Sequence, residues 1–177
     1  MCSSDLGDLT RESGKKVIAV CGTHGKSSTT AMAAKMLIDA GKDPSVILGT
    51  KMKELGGRNW RKGEGEYFLV EACEYRRSFL HLSPDIILVT NIDGDHFDAF
   101  KDMADYRAAF EEFIAKLPEE GVLITQEDHV DAPPLPLHVP GKHMQENARL
   151  VMALANVLKI EGAEESLKKY TGCWRRM

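Results

Sequence analysis

The run Gly22-Thr23-His24-Gly25-Lys26-Ser27-Ser28 concentrates residues suited to holding phosphate. Glycines let backbone N–H groups converge on an anion, and a helix opening immediately afterwards turns its positive end toward the same point. Lys26 adds a point charge, and the Ser27 hydroxyl offers a hard oxygen for Mg²⁺. The pattern is G-x-x-G-K-S rather than the fuller G-x-x-x-x-G-K-S/T, because Val20 stands where the first glycine would be. Alone it is a short motif. Its context gives it weight: the apolar run Val17-Ile18-Ala19-Val20 precedes it and the helix-forming Ala31-Met32-Ala33-Ala34-Lys35-Met36-Leu37 follows.

Two more clusters stand at the ends of apolar runs, Glu71-Ala72-Cys73-Glu74 after Val70 and Asn91-Ile92-Asp93-Gly94-Asp95-His96 after Thr90. Glu71, Glu74, Asp93, Asp95 and His96 are candidate Mg²⁺ ligands by charge and hardness. Taken singly, each cluster is more often solvated loop charge or a helix N-cap; together, and beside a phosphate loop, they read as a site. Ligands in open α/β sheets bind outside the carboxyl ends of the strands, so three such ends would converge on one phosphate and metal site.

The elements that must position these groups follow from periodicity. Strands are expected at 17–20, 45–48, 67–70, 86–89 and 121–124. Helices are expected from the glycine loop to Gly41, over 103–117 through Met103, Tyr106, Phe110, Phe113, Ile114 and Leu117, and at 146–158 and 163–169. Residues 50–65 read as a long loop or an irregular hairpin, and 131–141, with four of the seven prolines, as an extended connector. Alternating strands and helices specify an α/β fold: a mostly parallel sheet flanked by helices.

The 177 residues set one domain as the expectation, and 43% hydrophobic with 28% charged residues is globular composition. A net charge of -4 without a block of like charge argues against nucleic acid or an anionic membrane as partner. No apolar run approaches a spanning length and no secretory leader is evident, which makes the cytoplasm the expected location. Cys2, Cys21, Cys73 and Cys173 form no C-x-x-C pair, so neither a zinc knuckle nor a disulfide framework is expected. Cys21 and Cys73 read as small packing residues.

Taken together, the sequence resembles the Mur ligases, in the segments 22–29, 71–74, 78–80 and 90–96, in Gly141-Lys142-His143 with Asn147, and in Gly172 with Arg175-Arg176, all in family order over residues 15–177. His24 within the glycine loop is similar to the branch that adds L-alanine to UDP-N-acetylmuramate, or to its relative that reattaches recycled murein peptide. The resemblance implies a P-loop NTPase-like central domain that uses ATP and Mg²⁺ in peptidoglycan precursor synthesis. It assigns Lys26, Glu71 and His96 to catalysis. Nucleotide contacts fall to Gly22, Thr23, His24, Gly25, Lys26, Ser27, Ser28, Asn91, His143, Asn147 and Arg176. Ser27 and Glu71 would hold one Mg²⁺ and His96 a second. The implied reaction activates a carboxylate by γ-phosphoryl transfer to an acyl phosphate, which the amine of L-alanine then attacks, with ADP and phosphate released.

The sequence departs from the family pattern at three points. Met144 follows His143 where the family has asparagine, and the segment between Ile124 and Gly141 is short. The flanking domains that bind the UDP end and position the amino acid are not in these residues, so the chain on its own is expected to bind ATP weakly and to ligate almost nothing. A standalone or catalytically incomplete ATP-binding module is the alternative. Residues 1–14 are expected to be a tail, either natural or artefactual, since Met1-Cys2-Ser3-Ser4-Asp5-Leu6 matches the translated end of a common sequencing adapter.

Overall fold

The computed structural model describes residues 3–93, 99–127 and 133–173. Six strands form one sheet in the order β3-β2-β4-β1-β5-β6, with β1 Lys16–Cys21, β2 Ser45–Met52, β3 Arg58–Arg61, β4 Tyr67–Glu71, β5 Ile86–Val89 and β6 Val122–Thr125. All neighbouring pairs are parallel except β2 with β3. The mostly parallel sheet expected from the alternation is therefore present, and residues 50–65 take the hairpin option, with a 3-10 turn at Lys53–Leu55 between β2 and the edge strand. Central strands are buried on both faces, which is why they read as continuous apolar runs.

The sheet divides two cores. Ile18 and Val20 of β1 point into the layer formed with α2 (Lys26–Asp39), α4 (Lys142–Leu158) and α5 (Ala163–Lys168). Val17, Ala19 and Cys21 point the other way, toward α3 (Met103–Ile114) and the 3-10 segment Tyr75–His81. There Phe79 stacks on Phe113 at 4.5 Å between ring centroids and meets Phe110 edge-on at 5.2 Å. Helix α2 is buried all along Ser27–Leu37, which accounts for its small residues and lack of a polar face.

Two expectations need correction. Residues 3–12, expected as part of a tail, form helix α1 (Ser3–Glu12). Leu6 packs on the second core, and Gly7 lies so close to the His81 carbonyl that a Cβ would approach its oxygen to 2.3 Å. Helix α4 starts four residues earlier than expected, at Lys142, because Gly141, at a positive φ of 122°, ends the connector there, and His143 therefore sits in its first turn. The proline-rich connector is tied to α4 by Gln145, whose amide accepts from Leu135 N (2.8 Å) and donates to Leu135 O (2.7 Å). No helix among the described residues is long and apolar enough to cross a membrane.

Candidate nucleotide and magnesium site

β1 lies between β4 and β5, so the three clusters singled out in the sequence leave neighbouring strands at the same edge. Backbone strain and close approach explain the two loop glycines. Gly22 has φ 131°, and a Cβ there would stand 2.1 Å from Thr90 Oγ1. Gly25 caps α2 with φ 85°, and a Cβ would stand 2.6 Å from Asn147 Oδ1.

Thr23 clamps the loop to the end of β5. Its N–H donates to Asn91 O (2.8 Å), and its hydroxyl donates to Asp93 O (2.7 Å), accepts from Asp93 N (2.9 Å) and meets the hydroxyl of buried Tyr106 (2.9 Å). His24 N donates to Asn91 Oδ1 (2.9 Å), and Thr90 Oγ1 donates to His24 O (2.5 Å). The loop is thus rigid, as an electrostatic cradle must be if it is to act without reorganising.

Glu71 and Glu74 leave the same strand with different fates. Glu71 accepts from Ser27 Oγ (2.8 Å) through one oxygen and from Gly49 N (2.7 Å) through the other. Glu74 is fully buried and pairs with Lys26, both carboxylate oxygens lying 2.9 Å from Nζ. Glu74 is therefore not a Mg²⁺ ligand in this arrangement, which corrects its place among the candidates. Asp93 meets the loop through its backbone. Asp95, His96, Arg175 and Arg176 lie outside the described residues.

Nor are both cysteines packing residues. Cys21 is buried, and burial pushes its thiol pKa well above the ordinary value, with Glu74 adding to the rise. Cys73 is exposed, and its thiol is also raised, mainly by desolvation. Neither has the thiolate character of a nucleophile.

From the loop a cleft of about 270 Å³ runs to the start of α4, lined by His24, Gly25, Ser28, Asn91, His143 and Asn147 together with Gln126, Met144 and Glu146. Six residues that the sequence singled out from distant segments thus share one surface. Asn147 is 2% exposed, and its Nδ2 has no hydrogen-bond partner, a buried donor beside the loop glycine. Met144 is 3% exposed and joins the core beneath the cleft. Gln126 follows β6 at the same carboxyl edge as the other clusters, but no motif in the sequence marks it. Tyr106 was read only as one apolar position of a helix, and its hydroxyl gives no sequence signal. Among the described residues no three His, Cys, Asp or Glu side chains gather as a metal cage. Ser27 Oγ and Glu71 are nevertheless hard oxygen donors side by side, and suit an ion that is completed by phosphate oxygens and water.

A mostly parallel α/β domain with a glycine loop between its central strand and a buried helix has the architecture that suits phosphate. The chain belongs to the Mur ligase family, whose middle-domain pattern matches residues 20–133. It is similar to the UDP-N-acetylmuramate--L-alanine ligases of Desulfitobacterium hafniense (47% identical over 115 residues, covering 64% of this chain and 25% of that protein) and Caldicellulosiruptor saccharolyticus (46% over 123 residues, 70% and 27%). In three dimensions it resembles UDP-N-acetylmuramate-alanine ligase from Thermotoga maritima, with TM-score 0.81, 27% identity, and coverage of 96% of this chain and 48% of that one. The Neisseria meningitides ligase for UDP-N-acetylmuramate and L-alanyl-γ-D-glutamyl-meso-diaminopimelate shares the fold, at TM-score 0.82 and 21% identity, covering 95% and 69%. The chain spans about a quarter of the length of the curated relatives it matches.

Proposed function

We propose that these residues are the ATP-handling middle domain of a cytoplasmic ligase that joins L-alanine to UDP-N-acetylmuramate in peptidoglycan synthesis. The observation that carries this reading is the cleft itself, which joins the loop around Lys26 to His143 and Asn147 on α4. The loop N–H groups and Lys26 would bind the β and γ phosphates, while His143 and Asn147 face the adenosine end. Ser27 and Glu71 would hold Mg²⁺, which when bound neutralises charge on the phosphoryl group being transferred.

Phosphoryl transfer between two anions needs positioning and clustered positive charge rather than a protein nucleophile. The raised thiols of Cys21 and Cys73 accord with that. Thr23 N and His24 N are spent on Asn91, which fixes the loop, so the phosphates would meet the N–H groups at the start of α2. His96 and Arg176 complete the proposal as a second Mg²⁺ ligand and a nucleotide contact on the strength of the family resemblance. UDP-N-acetylmuramate and L-alanine would be bound largely by the flanking domains of the same ligase.

Calorimetric titration with ATP, with and without MgCl₂, tests this reading. The wild-type chain should bind ATP more tightly with Mg²⁺, and Glu71→Gln should lose about tenfold of that advantage. Equal affinity with and without Mg²⁺ would remove Ser27 and Glu71 from the metal site. Ligation by the 177 residues alone should stay at background, and turnover would contradict the division of labour.

A further inference from the structure

Lys26 and Glu74 form a pair that the proposed phosphate binding does not by itself explain. An ammonium has three N–H donors. Those of Lys26 point to Gly22 O (2.6 Å), Thr23 O (3.0 Å) and the Glu74 carboxylate (2.9 Å), so all three are engaged. A phosphate oxygen that accepts from Lys26 must displace one of these acceptors.

The three acceptors are not equally replaceable. The Glu74 side chain is 1% exposed and that of Lys26 13%. A carboxylate so placed cannot turn to water, and losing the Lys26 ammonium would take its paired cation from a buried charge. Its backbone is held as well: Arg77 N donates to Glu74 O (2.8 Å) and Phe79 N to Cys73 O (2.9 Å), at the start of the turn whose Phe79 is packed against Phe110 and Phe113. Arg77 in turn pairs with Asp105 (2.7 Å) and Glu112 (2.6 Å) of α3, so Glu74 stands on a braced segment. The carbonyls of Gly22 and Thr23, by contrast, are neutral and belong to the loop that would surround the phosphate.

We propose that Glu74 is a positioning residue that stays bonded to Lys26 when phosphate binds, so that the lysine exchanges loop carbonyls for phosphate oxygens while Glu74 acts as its tether and counter-charge. This rests on the reading of the cleft as an ATP site. It gives Glu74 a second effect through Coulomb's law: a negative charge beside Lys26 reduces the pull of the loop on polyphosphate, which favours release of the nucleotide after transfer.

The test compares ATP, ADP and AMP binding by calorimetry in wild type and Glu74→Gln. The amide keeps an acceptor for Lys26 and removes the charge. ATP and ADP should bind about tenfold more tightly to the variant, with a steeper loss of affinity as salt rises, while AMP, which lacks the outer phosphates, changes less than twofold. A purely structural role would lower the unfolding midpoint and leave the ATP to AMP ratio unmoved, and that result, or weaker ATP binding, overturns the proposal. If the variant does not fold, a crystal structure of the wild-type chain with ADP decides: Nζ should remain within about 3.3 Å of Glu74, whereas a carboxylate swung away or bound to metal contradicts the tether. Failure of the wild-type chain to bind ATP at all would instead refute the ATP reading.

Discussion

The two ends of the cleft are built differently. At the phosphate end, Gly22 and Gly25 are pressed against Thr90 and Asn147, Thr23 is held at its N–H and its hydroxyl, and Lys26 is engaged at every donor. At the other end His143 is exposed, Gln126 and Glu146 are half-buried on separate elements, and Met144 has withdrawn into the core. The difference follows from what each end must recognise. A phosphate is bound by fixed N–H groups and charge whose value depends on preorganisation, whereas a nucleobase is held by a broad face that tolerates adjustable side chains.

Substitutions should therefore be costly at the first end and mild at the second. Lys26→Ala removes the cation that faces the phosphates and pairs with buried Glu74, so ATP binding should fall below detection by calorimetry. Retained affinity would show that the loop is not the phosphate site. Next in size, Gly22→Ala places a Cβ against Thr90 at φ 131°, and should cost about 3 kcal/mol of stability, read from the urea midpoint. Thr23→Val keeps the shape but strands the Asp93 N–H and removes the hydroxyl that meets Tyr106. A loss of about 2 kcal/mol is expected, together with weaker ATP binding. His143→Ala, at the open end, should weaken ATP binding by only about three- to tenfold and leave the unfolding midpoint unchanged. If His143→Ala proved as damaging as Lys26→Ala, the contrast between the two ends would fail.

The same contrast marks what could be read from sequence. The strand, glycine loop and buried helix over 16–39 were legible because apolar runs and glycines report directly on backbone geometry. By spacing alone Glu71 and Glu74 are a pair of acids, and only the family resemblance sets Glu71 apart as the partner of Ser27. Nothing in their spacing says that one faces Ser27 and the other lies buried on Lys26, since the 3-10 turn at Tyr75–His81, with Arg76 and Arg77 at positive φ, has no periodic signature. His143 and Asn147 could be connected to the loop only through the family resemblance, because the approach of Asn147 to Gly25, and of both to one cleft, depends on how α4 packs on α2. Helix α1 carries only two large apolar residues, Leu6 and Leu9, too few to mark a helix in the sequence.

The central claim is that one nucleotide spans the cleft from the glycine loop to α4. Titrating Mg-ATP into ¹⁵N-labelled chain and following the backbone amides tests it most directly. Gly25, Lys26 and Ser27 should shift together with His143 and Asn147 along a single binding curve, while Ser166 and Lys169, beside the C-terminal end of α2, stay still. Shifts confined to the loop, or two curves with separate dissociation constants for the loop and α4, would contradict it.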